Sequence, residues 1–280
     1  MGVEHKFLGF RNDPIGDEEP SSIFFFLLLD AALYALGVGA CGRDALDKYE
    51  LKYVYHEDGQ QSIQVLPTFG VLFAVGFLSH LSHVPGLQCK IKQASPDCMI
   101  KVRLEGKAAI LEVEVISYEK ESSEPICLNR MTVYLRGAGG FSKSSHPYSY
   151  SKNSASQNLA AKIPNRQPFA ALLYRLSGDY NPLHSDPKVA EIAGFSRPIQ
   201  HGLCTMGFAV RAIIKCICGG DPNMIKNISG RFLLHVYPGE TLIMEMWLEG
   251  LRVVYQVKVK ERNKAVLSGV IDLTHLTSSL

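Results

Sequence analysis

No C-x-x-C pair occurs among the seven cysteines of this 280-residue chain (Cys41, Cys89, Cys98, Cys127, Cys204, Cys216 and Cys218), and no pair of histidines has a spacing that suits zinc. An odd set of scattered thiols reads as reduced cysteine in an intracellular compartment, with no metal site expected. Cys204, Cys216 and Cys218 lie in an apolar helical run and are expected to act as small hydrophobes. An excess of one charge sign is also lacking. The 29 basic and 27 acidic residues leave a formal net charge of +2 without a basic block, so nucleic acid is not an expected partner. A complete G-x-G-x-x-G is missing too. Arg136-Gly137-Ala138-Gly139-Gly140-Phe141 has no apolar helix pattern after it and reads as a turn following a strand.

The apolar run Ile23 to Leu29, continued by Ala31 to Ala40, lacks what a membrane span or a signal peptide needs. Asp30 interrupts it, Gly37 and Gly39 break its second half, and Asp13, Asp17, Glu18 and Glu19 precede it where a signal would be basic. A buried helix is expected there, without membrane insertion.

What the chain does contain is one pattern written twice. Ile199 to Cys218 is apolar on nearly every face and stops at Gly219-Gly220, which predicts a central buried helix. Strand-like runs follow at Ile228 to Val236, Thr241 to Glu249, Leu251 to Lys260 and Ala265 to Leu273, an antiparallel meander. Earlier, an apolar run from Phe69 to Leu81 precedes strand-like runs at Met99 to Leu104, Ala108 to Tyr118 and Ile126 to Leu135. Pro67 stands nine residues before Gly76-Phe77 as Pro198 stands nine before Gly207-Phe208, and Ala32-Leu33-Tyr34-Ala35-Leu36 echoes Leu172-Leu173-Tyr174-Arg175-Leu176. A self-match in fixed order argues for a duplicated unit. The expected organisation is a disordered tail over 1–22, a first half over 23–141, a linker over 142–168 and a second half over 169–277.

Reactive side chains are densest in Ser177-Gly178-Asp179-Tyr180-Asn181-Pro182-Leu183-His184-Ser185-Asp186-Pro187. A regular helix would hold Asp179 and His184 roughly 140° apart, since five residues turn through about 500°. Pro182 and Gly178 instead predict a turn that folds the two toward one point. A short helix should follow, with Asp186 as N-cap, Pro187 at its first position and Gly194 beyond its end. A carboxylate, an imidazole and a carboxamide together can hold one water and move its protons. Taken singly, each residue is as well explained by turn chemistry or an ordinary hydrogen bond. The second element is His201-Gly202 at the start of the buried helix. Its first amides lack intrahelical partners, so the Gly202 N–H can face a developing negative charge. Acid/base groups plus an oxyanion donor fit enolate chemistry beside a carbonyl. In the internal repeat Gly39, Cys41 and Asp44 stand opposite Asp179, Asn181 and His184, so only the second half carries the reactive set.

Tyr174 to His184, Ala190, Ala193-Gly194-Phe195, Pro198-Ile199 and His201-Gly202-Leu203-Cys204 resemble the hydratase 2 signature of peroxisomal (R)-specific 2-enoyl-CoA hydratases, MaoC-like hot-dog enzymes, in a stand-alone plant-type form. Phe232, Pro238 to Leu242 and Glu245-Met246-Trp247 continue the likeness, and Leu66 to Gly70 and Leu135 to Phe141 carry it into the first half. The resemblance implies an α+β double hot-dog, two long helices each wrapped by an antiparallel sheet. It implies reversible hydration of trans-2-enoyl-CoA to (R)-3-hydroxyacyl-CoA without a cofactor, in peroxisomal fatty-acid β-oxidation. Asp179 and His184 would activate water, Asn181 would support them, and the Gly202 amide would receive the thioester oxygen. Lys107, Tyr180, Pro182, Leu183, His201 and Phe232 match substrate-binding positions, and the first half would line the acyl tunnel.

Two pieces of the family pattern are missing, one between Leu87 and Ile100, which includes a second His-Gly pair and a tyrosine-bearing strand, and one between Pro168 and Ala170. Ser22 to Leu29 replaces a more polar family segment. Because the first loss falls in the ligand-binding half, a non-catalytic acyl-CoA binder stays open beside the hydratase, as does acyl-thioester dehydratase or thioesterase action. Ser278-Ser279-Leu280 resembles a Ser-Lys-Leu peroxisomal address, which implies an import receptor as partner and a peroxisomal location. A homodimer is expected from the way hot-dog sheets pair.

Overall fold

Within Ile199 to Cys218, Gly202–Cys216 forms the helix on which the second half is built. A computed structural model describes residues 2–7, 22–75, 98–105, 108–118, 122–136, 161–165 and 170–276. In it the strands are β1 (Gly2–Phe7), β2 (Cys98–Glu105), β3 (Ala108–Tyr118), β4 (Pro125–Arg136), β5 (Ala161–Asn165), β6 (Ile225–Phe232), β7 (Leu242–Glu249), β8 (Arg252–Val259) and β9 (Lys264–Leu273). The helices are α1 (Ser22–Gly37), α2 (Ala170–Arg175), α3 (Pro187–Ile192) and α4 (Gly202–Cys216). The strands form one antiparallel sheet in the order β2-β3-β4-β1-β6-β9-β8-β7-β5.

Burial on nearly all sides explains the composition of α4. Met206, Phe208, Ala209, Val210, Ala212, Ile213 and Ile214 are all enclosed, and β5 to β9 contact the helix. It ends where Gly219 and Gly220 take positive φ and the Gly220 N–H donates to the Ile214 carbonyl at 2.9 Å. Facing it, β9 buries every second residue, Leu267, Gly269, Ile271 and Leu273, as a strand with one face on a core must. The antiparallel meander, its turns and the helix before it follow the expected order.

The repeat is visible as contact. Tyr34 and Tyr174, matched positions of the two halves, are both buried and lie 5.7 Å apart between ring centroids. α1 packs on α2, and the expected buried helix over Ile23 to Cys41 encloses Leu28, Ala31, Ala32, Tyr34, Ala35 and Val38. Among the described residues no helix is long and apolar enough to cross a membrane.

Three expectations need correction. Residues 2–7 are not tail but a strand, β1, antiparallel to both β4 and β6. The physical reason is the unpaired backbone that β4 and β6 would each otherwise present. In the sheet, β1 stands beside β4 as β6 stands beside β9, so it fills the outer-strand position of the first half. Residues 161–165, inside the expected linker, form β5 on the free side of β7. The run beginning at Phe69 starts as a 3-10 segment, Pro67–Ala74, rather than as a regular α-helix. The Gly70 carbonyl, which an α-helical Ala74 N–H would use, accepts instead from Asn129 Nδ2 at 2.9 Å. Residues 76–97 and the Gly137 to Phe141 turn lie outside the described residues.

A charged cluster not read from the sequence ties α4 to the first half. Arg211 is ion-paired to the buried Glu50 and donates from Nε to the Val38 carbonyl at 2.9 Å. Lys215 pairs with Asp47 and lies 3.7 Å from Glu50, whose second oxygen accepts from the Cys41 N–H at 2.8 Å. Breaking such a pair leaves one buried charge uncompensated. Glu50→Ala should therefore destabilise the fold by about 3–5 kcal/mol in urea unfolding, more than Asp47→Ala. Deleting residues 1–7 should lower the melting temperature and promote aggregation through the exposed edges of β4 and β6, read by light scattering during a thermal ramp.

Candidate active site

The segment before α4 folds as a turn rather than a helix. Gly178 at φ +111° turns the chain after α2, and Pro182 to His184 make one 3-10 turn. Asn181 caps that turn: its Oδ1 accepts from the Leu183 N–H at 3.0 Å. With the carboxamide oxygen engaged, its NH2 is the end left to orient a ligand. Asp186 then caps α3 by accepting from the Lys188 and Val189 N–H groups at 2.8 and 3.4 Å, and Gly194 follows the helix at φ +87°.

This turn brings Asp179 and His184 together against His201 at the N-terminus of α4. His184 Nδ1 lies 2.8 Å from the Ile199 carbonyl. A carbonyl only accepts, so Nδ1 carries the proton and Nε2 keeps its lone pair. Burial pulls the imidazole below the ordinary histidine range, opposed in part by the Ile199 carbonyl and by Asp179. A neutral ring with a bare Nε2 is the form a general base needs at neutral pH.

His201 is enclosed, with 1% of its surface exposed. Its ring stacks on His184 at 3.7 Å between centroids, and its Nε2 lies 3.1 Å from the Asp179 backbone oxygen, so that nitrogen is the N–H. Burial, then the neighbouring His184, push it down to about 3. It is therefore neutral, and its 4.0 Å approach to Asp179 Oδ2 is not an ion pair.

Asp179, His184 and His201 each offer a ligand atom, all within 4.8 Å of one another, a spread that a divalent cation could bridge. The protonation pattern disfavours that use. His201 Nε2 already donates to a carbonyl, which leaves the Asp179 carboxylate and His184 Nε2, one fewer than the three protein ligands of a catalytic zinc site. The set is better suited to moving protons.

Gly202 follows His201 as the first residue of α4, among the amides without intrahelical partners. A Cβ there would stand 2.9 Å from the Phe232 ring, so the absence of a side chain lets Phe232 close over the helix start.

Residues 152–270 match the MaoC like domain family and residues 24–95 the MFE-2 hydratase 2 N-terminal domain family. The peroxisomal enoyl-CoA hydratase 2 of Arabidopsis thaliana is 54% identical over 291 aligned residues, covering 93% of this chain and 94% of the relative. The chain belongs to the enoyl-CoA hydratase 2 family. The mouse peroxisomal multifunctional enzyme type 2 is 36% identical over 92% of this chain, which corresponds to 38% of that longer protein. The solved full-length Drosophila melanogaster multifunctional enzyme type 2 superposes with a TM-score of 0.70 at 30% identity, over 88% of this chain and 47% of that one. A MaoC-like dehydratase from Phytophthora capsici gives 0.72 at 26% identity, over 90% and 94%. The double hot-dog architecture is thus that of the hydratase 2 family.

The expected site residues divide by position. Asp179 and His184 meet at His201, Asn181 stands in the same turn, and Gly202 follows His201 in the chain. Tyr180 is exposed under the Arg175 guanidinium, 4.9 Å from its ring centroid, and Pro182 and Leu183 lie in the turn beside them. Phe232 covers Gly202. His201, expected to touch substrate, is packed behind His184 with no surface to offer, because it fills the space between that ring and Tyr174 at 4.9 Å. Lys107 lies outside the described residues. No residue pattern pointed to the Ile199 carbonyl that fixes the His184 tautomer. Only a long-range fold brings residues 184 and 199 together.

Depressed histidines make stability depend on pH. Between 6.5 and about 3 the unfolded chain takes a proton at His201 that the folded chain refuses, so stability falls as pH drops through that window; His184 adds the same sign. Urea midpoints from pH 7 to 4 should fall for the natural chain, and less steeply for His201→Phe.

Proposed function

We propose that this protein reversibly hydrates trans-2-enoyl-CoA to (R)-3-hydroxyacyl-CoA, with Asp179 and His184 as the acid/base pair. The observation that carries the reading is a neutral His184 with its Nε2 lone pair free, held beside Asp179 at the mouth of a helix that opens on a glycine, Gly202. Membership of the hydratase 2 family supports it.

In the forward direction the pair takes a proton from water as its oxygen bonds to C3. The C2=C3 electrons move to the thioester oxygen, which becomes an enolate, and the Gly202 N–H donates to it. The carbonyl re-forms as C2 takes a proton from the pair. Asn181 orients the water through its NH2 group. One oxyanion donor of this kind typically lowers the barrier by about 3–4 kcal/mol. Conjugation with the thioester already makes C3 electrophilic, so no cofactor enters. Lys107, Tyr180, Pro182, Leu183 and Phe232 are proposed to contact the CoA ligand. A peroxisomal site of action in β-oxidation, an import receptor reading Ser278-Ser279-Leu280 and a homodimer complete the reading, and the name of the Arabidopsis relative supports the first of these.

Assay with crotonyl-CoA and trans-2-decenoyl-CoA, with chiral separation of product, should show the (R)-3-hydroxyacyl-CoA. Release of free CoA thiol instead would sink the hydratase reading in favour of a thioesterase. Asp179→Asn should cut kcat by about 10³-fold or more while leaving the melting temperature near the natural value. Gly202→Ala, which forces Phe232 aside, should lower kcat by about 10- to 100-fold. Adding Phe232→Leu to make room should return part of that loss.

A further inference from the structure

We infer that His201 is a positioning residue for the acid/base pair, holding Asp179 by its backbone and His184 by its ring from the side away from substrate. The inference rests on the roles proposed above for Asp179 and His184.

Its contacts fall on both partners at once. Nε2–H donates to the Asp179 carbonyl at 3.1 Å, which sets where residue 179 leaves the Gly178 turn. The ring lies against His184 at 3.7 Å and 28°, while the Ile199 carbonyl holds His184 Nδ1. Tyr174 supports the other side of His201 at 4.9 Å. His201 also immediately precedes Gly202, so one residue joins the oxyanion amide to both proton-transfer groups. With the ring pinned on Asp179 and His184, their separation from the Gly202 amide is set by a single backbone step.

Ordinary explanations for a histidine here fail in turn. It sits at the N-cap of α4 but makes no capping bond with its side chain. It is too enclosed to touch substrate, and its one N–H is committed to a carbonyl, so it has no proton to exchange. As a packing residue it is a poor choice, because Nδ1 is buried without a partner. An orphaned buried acceptor is destabilising, and a phenyl ring of similar size would avoid it. A group kept at a cost to stability beside reactive residues points to a role in geometry.

The test uses His201→Phe and His201→Gln in the full chain, with trans-2-decenoyl-CoA as substrate and Asp179→Asn measured alongside. His201→Phe keeps the ring but loses the donor. Its melting temperature should be unchanged or raised, kcat should fall by about 30- to 100-fold and KM should stay within about threefold, since misplacing a reacting group by about 1 Å costs on the order of 10²-fold. In His201→Gln the amide N–H can reach the Asp179 carbonyl, and kcat should recover to within about tenfold of the natural enzyme. A His201→Phe enzyme with natural kcat overturns the inference. So does a rise in KM alone, which would make His201 a substrate contact, and so does loss of turnover only in step with loss of folding. If Asp179→Asn keeps natural turnover, the acid/base reading itself fails and this inference goes with it. If Asp179→Asn is inactive while His201→Phe is unimpaired, only the inference falls.

Discussion

Enclosure of α4 is the constraint on which the rest depends. A helix buried on nearly every side must be covered by sheet along its length, and β5 to β9 supply that cover. Its N-terminus cannot then be left to water. The chain before it, from Gly178 to Gln200, packs against that end, and this is where Asp179, His184 and His201 meet. The same burial that stabilises the helix withdraws solvent from both imidazoles and keeps them neutral. Reactivity and stability thus have one origin at this end of the molecule.

The two halves use the same plan unequally. Matched tyrosines meet where the halves join, yet the positions opposite the reactive set are Gly39, Cys41 and Asp44. At the stretch that corresponds to His201-Gly202, the first half has Gly70-Val71 in a 3-10 segment whose carbonyl is occupied by Asn129. The outer strand beside β4 is supplied by residues 2–7 from the chain start rather than by a segment following the helix. The alignment with the Arabidopsis hydratase carries gaps on the side of this chain. It spans 291 positions but takes in 93% of 280 residues, about 260, so about 30 positions have no counterpart here. Cohesion between the halves rests on β1, on one apolar core that takes in residues of both, and on the Arg211–Glu50 and Lys215–Asp47 pairs, the first of which is buried.

Much of this was legible in the residues. The antiparallel meander follows from β-branched runs between Gly and Pro turns, because those side chains fit a pleated, half-buried surface. α4 follows from its apolar faces and its Gly-Gly stop, and α3 from Asp186-Pro187 and Gly194, since caps are local chemistry. The turn that joins Asp179 to His184 follows from Gly178 and Pro182. The expected tail and linker were misread in part because β1 and β5 are short and weakly patterned, and become strands only where a neighbouring strand offers an unpaired edge.

The sequence by itself determined the order of elements from α3 through β9, the duplicated plan and the turn that carries Asp179, Asn181 and His184, because propensity, capping and hydrophobic period act over a few residues. Only the tertiary structure decided which nitrogen of each histidine carries the proton, that His201 stands behind the site rather than in it, and that Glu50 meets Arg211 across the two halves. Each of these depends on groups between 15 and 161 residues apart in the chain, and such distances are closed by the core.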